Sequence, residues 1–214
     1  MMGPETKMIR VGIAGGAFDP PHNGHLMLAS TALNSGVVDE VWFVPSGNRS
    51  DKTYCTPIEH RMQLLSLLLR DGVPVEEHRI RLCSLEVDEP RLVGTVELFR
   101  ELRVRHPAAT FSAIIGGDLV KALSRWRHAE ALRREVPFIV IPRGGASARE
   151  DHPGFQLTWV ASDIAISVSS TLLRALLAER KSVLGLMPRS LMEYIEKNGL
   201  YRQGQDESAN ASTR

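Results

Sequence analysis

One stretch of the chain, Gly15-Gly16-Ala17-Phe18-Asp19-Pro20-Pro21-His22-Asn23-Gly24-His25, concentrates the residues best suited to chemistry. A glycine pair lets the backbone approach a ligand closely. His22 and His25 stand at the mouth of a helix, where unpaired N–H groups point toward an anion. Oriented donors and positive charge are what phosphoryl and nucleotidyl transfer need from a protein, more than a nucleophile. A metal site built on the two histidines is the other reading, and it lacks a clear third ligand. The spacing is not that of a dinucleotide fingerprint, because Phe18-Asp19-Pro20-Pro21 interrupts the glycines. It is not a Walker loop either, since no Gly-Lys-Ser/Thr follows.

A second cluster, Ile166-Ser167-Val168-Ser169-Ser170-Thr171-Leu172-Leu173-Arg174, precedes an apolar-periodic segment. Alone it is a helix N-cap signal. Beside the first motif it offers a second helix N-terminus, with hydroxyls for phosphate oxygens and Arg174 one turn further on.

Alternating strand-like and helix-like segments must carry these motifs. Residues 8–14, 41–44, 75–82, 111–115, 138–141 and 157–160 read as strands, short and rich in β-branched residues. Residues 25–33, 57–69, 95–105, 169–178 and 188–197 read as helices. Such alternation implies a parallel sheet with helices on both faces. In such sheets ligands bind at the C-terminal strand ends, where Gly15-Gly16 and Gly116-Gly117 lie. The arginine-rich stretches 100–105 and 125–134 fall on predicted helices and read as solvated faces. Residues 144–154 read as a polar loop.

With 214 residues, 43% of them hydrophobic, the chain can bury a sizeable core, which suits one domain over residues 8–202. Residues 1–7 and 203–214 are expected to be disordered. A net charge of +1 argues against a nucleic-acid partner. Cys55 and Cys83 lack metal-type spacing and suit a reducing compartment. No apolar run approaches the roughly 20 residues of a membrane span, and residues 1–7 lack a signal core. The expectation is a soluble cytoplasmic protein; homo-oligomerisation stays open.

The pattern Gly-Gly-x-Phe-Asp-Pro-x-His-x-Gly-His resembles the signature of the nucleotidylyltransferase superfamily that carries a His-x-Gly-His motif. The serine-rich cluster resembles the Ile-Ser-x-Ser/Thr-x-x-Arg motif near the C-terminus of the same superfamily. The resemblance runs from about residue 8 to residue 202 and is closest to the bacterial nicotinate-mononucleotide adenylyltransferases. Gly116-Gly117-Asp118-Leu119 with Trp126 resembles that family's Gly-x-Asp…Trp segment. By that resemblance Asp118 contacts the ATP ribose region and Trp126 stacks on the pyridine ring. Thr95 matches a threonine close to the pyridine carboxylate. Pro142-Arg143 resembles an Arg-Pro pair in reversed order, and Gly199-Leu200-Tyr201-Arg202 resembles the family's ending. Lys52 and Arg61 fit the spacing from Pro45, but Arg49-Ser50-Asp51 replaces the family's Pro-Pro-His. Gly94 and Arg127 each stand where the family has a tyrosine. Backbone donors near them would still read the carboxylate, and Arg127 would add a charge.

The fold this implies is α/β, a Rossmann-like doubly wound parallel sheet of the nucleotidylyltransferase type. The implied reaction transfers AMP from ATP to nicotinate mononucleotide. His22, His25, Lys52 and Arg174 would serve catalysis. Gly15, Gly16, Ala17, Phe18, Gly117, Asp118, Ser167, Ser170 and Thr171 would join the histidines and Arg174 around ATP. Lys52, Thr95, Trp126, Arg127 and Arg143 would hold the pyridine mononucleotide. Mg2+ would be held mainly by phosphates rather than by protein. Asp19 reads either as an outer-shell partner or as a turn former before Pro20. Nicotinamide mononucleotide, phosphopantetheine or another phosphate ester could replace the acceptor, and CTP could replace ATP. A non-catalytic ATP-binding regulator is the reading from another class.

Overall fold

The computed structural model describes residues 8–47, 53–92, 94–142, 152–161 and 167–202. Strands β1 (Ile9–Gly16), β2 (Glu40–Pro45), β3 (Ile80–Leu82), β4 (Ala109–Gly116), β5 (Phe138–Ile141) and β6 (Leu157–Trp159) form one sheet. Its order is β3-β2-β1-β4-β5-β6, with every neighbouring pair parallel. The helices are α1 (Asn23–Asn34), α2 (Ile58–Gly72), α3 (Leu85–Asp88), α4 (Thr95–Arg105), α5 (Ala129–Glu135), α6 (Ser170–Ala178) and α7 (Arg189–Lys197). A 3-10 helix, Gly117–Arg125, follows β4. This is the doubly wound arrangement expected from the alternation.

Both sheet faces are buried, which is why the strands are nearly continuous apolar runs. Side chains alternate between two cores. Val41, Phe43, Ile114, Ile139 and Ile141 join Ala29, Leu64, Leu68, Leu173 and Leu191 from α1, α2, α6 and α7. Val11, Ile13, Trp42, Phe111 and Val140 join Val96, Phe99, Leu102, Leu123 and Leu132 on the opposite face. Each fully buried leucine or phenylalanine contributes about 1.5–3 kcal/mol relative to exposure.

The helix expected over 95–105 and the strand expected over 138–141 match α4 and β5. The strand expected over 75–82 shrinks to β3. Pro74 cannot donate to a ladder, Val75 is 87% exposed, and Glu77 N–H closes a turn onto Pro74 O. The arginine stretch 125–134 is not one helix either. Trp126 to His128 separate the 3-10 helix from α5, with His128 at φ 58. Both arginine stretches are ion-paired surface: Arg100 with Glu135, Arg105 with Glu89 and Glu101, Arg133 with Glu130. Among the described residues no helix is long and apolar enough to cross a membrane.

Candidate active site

The sheet splits at its C-terminal edge. The ladder between β1 and β4 ends at Ile13 opposite Ala113. β1 stays paired with β2 up to Gly16, and β4 stays paired with β5 up to Gly116. The strand order reverses at this same seam, the place where open α/β sheets bind ligands. A cavity of about 300 Å³ opens there, floored by Ile13, Gly15, Gly16, Ala113 and Ile115. Ser46 and Glu86 line one side, Thr95, Leu98 and Phe99 of α4 another, and Arg125, Trp126 and Arg127 a third. Its size is at the lower end for a small-molecule site.

Gly94 begins α4 at φ 120, a conformation other residues rarely adopt, and Glu97 Oε2 lies 3.3 Å from where its Cβ would be. Trp126 is half-buried, with its ring edge-on to Phe138 at 6.1 Å. Arg127 is exposed, and its Nε donates to His128 Nε2 at 3.0 Å. Glu97 Oε1 lies 3.2 Å from that same His128 nitrogen.

His22 is the N-cap of α1, in extended conformation. Its backbone N–H donates to His25 Nδ1 at 3.0 Å, and the two rings stack with centroids 3.8 Å apart. Phe18 presses its ring against His25 at 4.9 Å and against Phe43 at 5.7 Å. Because His25 Nδ1 accepts, a neutral imidazole carries its proton on Nε2 and can donate outward. Gly24 is required for packing rather than for φ. A Cβ there would stand 2.5 Å from Val168 and 2.9 Å from His22 Nδ1. The glycine thereby lets the segment before α6 settle on the start of α1.

The second motif grips the first. Ser170 Oγ donates to Pro20 O at 2.8 Å, and Arg174 Nη1 donates to Asp19 O at 2.7 Å. Ser169 caps α6 by accepting from Leu172 N–H at 3.2 Å. Asp19 is 3% exposed, and its carboxylate accepts from Cys55 N–H and from the Tyr201 hydroxyl, each at 2.7 Å. Arg61 is fully buried in α2 and donates to the carbonyls of Ala17, Ser46 and Thr56. Burial lowers the Arg61 pKa; burial, with Asp19 close by, raises that of the Tyr201 phenol.

The cytidylyltransferase-like family model matches residues 13–176. The chain belongs to this family. It is 34% identical over 200 residues to a protein of Halalkalibacterium halodurans named "Probable nicotinate-nucleotide adenylyltransferase", covering 91% of this chain and 92% of that one. A Bacillus cereus protein of the same name is 36% identical over 196 residues, covering 91% and 99%. Among solved structures, the Plasmodium falciparum nicotinic acid mononucleotide adenylyltransferase complexed with NaAD superposes with a TM-score of 0.77. It is 26% identical and covers 90% of this chain and 97% of its own.

Within this cytidylyltransferase-like fold the site residues expected from the sequence fall into groups. Gly15, Gly16, Thr95, Trp126 and Arg127 line the cavity. His22, His25, Ser170, Thr171 and Arg174 stand outside its lining, where the starts of α1 and α6 meet. Ala17 gives its carbonyl to Arg61, and Phe18 is a core residue 3% exposed. Gly117 packs on the Trp159 ring, Asp118 is exposed at the start of the 3-10 helix, and Ser167 is exposed. Lys52 and Arg143 lie outside the described residues. Sequence reasoning missed Ser46, Glu86 and Arg125 in the cavity wall. Glu86, 7% exposed, sits in a helix too short to leave a periodic signal; only its place just after a strand end could have pointed to it.

Proposed function

We propose that this chain transfers AMP from ATP to nicotinate mononucleotide, giving nicotinate adenine dinucleotide and pyrophosphate. The observation that carries this is the placement of the stacked His22–His25 pair, at two adjoining helix starts, beside a strand-end cavity walled by Trp126. The names of the relatives support a nicotinate mononucleotide acceptor.

An acceptor phosphate oxygen attacks the α-phosphorus of ATP in line. A P–O bond forms to the acceptor, the α–β bridge breaks, and pyrophosphate leaves with the bridging oxygen. No protein nucleophile is required. His25 donates from Nε2 to phosphate oxygens as charge develops, with His22 stacked against it, and the N–H groups opening α1 and α6 add to the field. Arg174 donates to Asp19 O and to Thr171 Oγ1 and keeps further N–H donors for phosphate, and Lys52 would supply a second cation. Trp126 stacks on the pyridine ring, while Thr95 and Arg127 face its carboxylate. Mg2+ would be held mainly by the phosphates, since no cluster of metal-ligating side chains stands among the described residues, and would supply charge neutralisation of the triphosphate. The Asp19 carboxylate is engaged by the Cys55 N–H and the Tyr201 hydroxyl.

The test is pyrophosphate release from ATP with nicotinate mononucleotide and, separately, with its amide. Preference for the acid supports the reading. Release with the amide alone would reassign the acceptor, and release with neither would remove the activity.

A further inference from the structure

Three buried polar residues take no part in the reaction as described, yet all three converge on the histidine-bearing loop. Tyr201, just past α7, places its hydroxyl 2.7 Å from Asp19 Oδ1 across 182 residues of sequence. The Cys55 N–H holds the other carboxylate oxygen. Arg61 donates through Nη1 to Ala17 O and to Ser46 O, both at 2.8 Å, so one nitrogen joins the loops that leave β1 and β2. Adding the Ser170 and Arg174 contacts, the loop from Ala17 to Pro20 is held at the Ala17, Asp19 and Pro20 carbonyls and at the Asp19 carboxylate. His22 follows two residues later.

Stability alone does not account for this arrangement. A fully buried guanidinium is costly, and apolar replacements of such groups are often neutral or stabilising. Arg61 Nη2 is buried with no hydrogen-bond partner among the described residues, while the guanidinium lies over the Tyr54 ring at 4.1 Å. Direction accounts for it instead: its planar donors are aimed at carbonyls of two different loops. The Tyr201 phenol, held protonated by burial and by Asp19, remains a donor.

We infer that Asp19, Arg61 and Tyr201 form a buried latch that positions the His22–His25 donors against the cavity, with the C-terminal Tyr201 as its closing contact. They are positioning residues, since none lines the cavity. The inference rests on the adenylyl-transfer reading for its kinetic consequence and on the geometry alone for its structural one. Misplacement of reacting groups by about 1 Å costs on the order of a hundredfold in rate.

The experiment compares the full chain with Tyr201→Phe, which removes one oxygen, and with Arg61→Lys, which keeps the charge but loses the fork. Steady-state kinetics with ATP and nicotinate mononucleotide run below the melting temperature of each variant, alongside hydrogen exchange over residues 17–25. For Tyr201→Phe, kcat is expected to fall about tenfold or more with both KM values within about twofold, and loop exchange to rise about tenfold. Arg61→Lys should fall further in kcat. If Arg61→Lys does not fold, Tyr201→Phe decides alone. A kcat within about twofold of the parent, or unchanged exchange over the loop, would overturn the latch. If the parent itself makes no dinucleotide, the adenylyl-transfer reading falls, and exchange over residues 17–25 still decides the latch.

Discussion

The backbone N–H of His22 donates to His25 Nδ1 at 3.0 Å while their rings stack at 3.8 Å, so the second histidine of the motif is oriented by the first. The interaction is local, yet it leaves Nε2 as the nitrogen with which a neutral His25 can donate. Replacing His25 by Ala removes one transition-state donor and should lower kcat by about 10² to 10³. His22→Ala loses a stacked ring and should do comparable harm. Circular dichroism and melting should change little for His25, which is only half-buried. Near-parental turnover in His25→Ala would remove it from the chemistry.

Gly24→Ala tests why a glycine separates the histidines. The added methyl would stand 2.5 Å from Val168 Cγ1, so the start of α1 and the segment leading to α6 must move apart. Overpacking of this kind costs about 1–3 kcal/mol. Stability and turnover should therefore fall together, measured by denaturant melts and by initial rates.

Arg127 tests the acceptor end. It lines the cavity. Arg127→Gln should lower kcat/KM for nicotinate mononucleotide more than for the amide, shrinking the acid-to-amide ratio by about tenfold, the worth of one charge-assisted hydrogen bond. An unchanged ratio would leave recognition of the carboxylate to backbone donors alone.

Alkali tests the buried phenol. The folded-state pKa of Tyr201 is raised above its ordinary value of 10.0, first by burial and then by Asp19. A raised folded-state pKa means the contribution is fully present below pH 10.0 and is lost as pH rises above it, because only the unfolded chain ionises readily. Denaturant melts taken from about pH 8 to about pH 11 should show stability falling at the upper end. Tyr201→Phe should flatten that slope.

Much of this was legible in the sequence, for a definite reason. Glycine pairs after β-branched runs mark strand ends, and parallel sheets bind ligands at strand ends, so Gly15-Gly16 follows from local pattern, while the wall at Trp126 follows from the family resemblance. Local spacing also fixed α4, whose apolar period is regular. Other features have no local signature. Arg61 enters the sequence reading only through its spacing from Pro45, yet it is fully buried, because it donates to the Ala17 and Ser46 carbonyls in loops distant along the chain. Asp19 reads as a turn former or an ion's partner, and the Tyr201 hydroxyl that engages it lies 182 residues on. Ser170 and Arg174 read as phosphate donors, while the structure also has them gripping Pro20 and Asp19. Pairings across such distances are set by topology, which spacing along the chain does not encode.

The most direct test of the central reading is to incubate the full chain with ATP, Mg2+ and nicotinate mononucleotide and to measure the dinucleotide and pyrophosphate together. The account predicts nicotinate adenine dinucleotide and pyrophosphate in equal amounts, with no free AMP. Pyrophosphate accompanied by AMP and no dinucleotide, or ATP left intact, would contradict it.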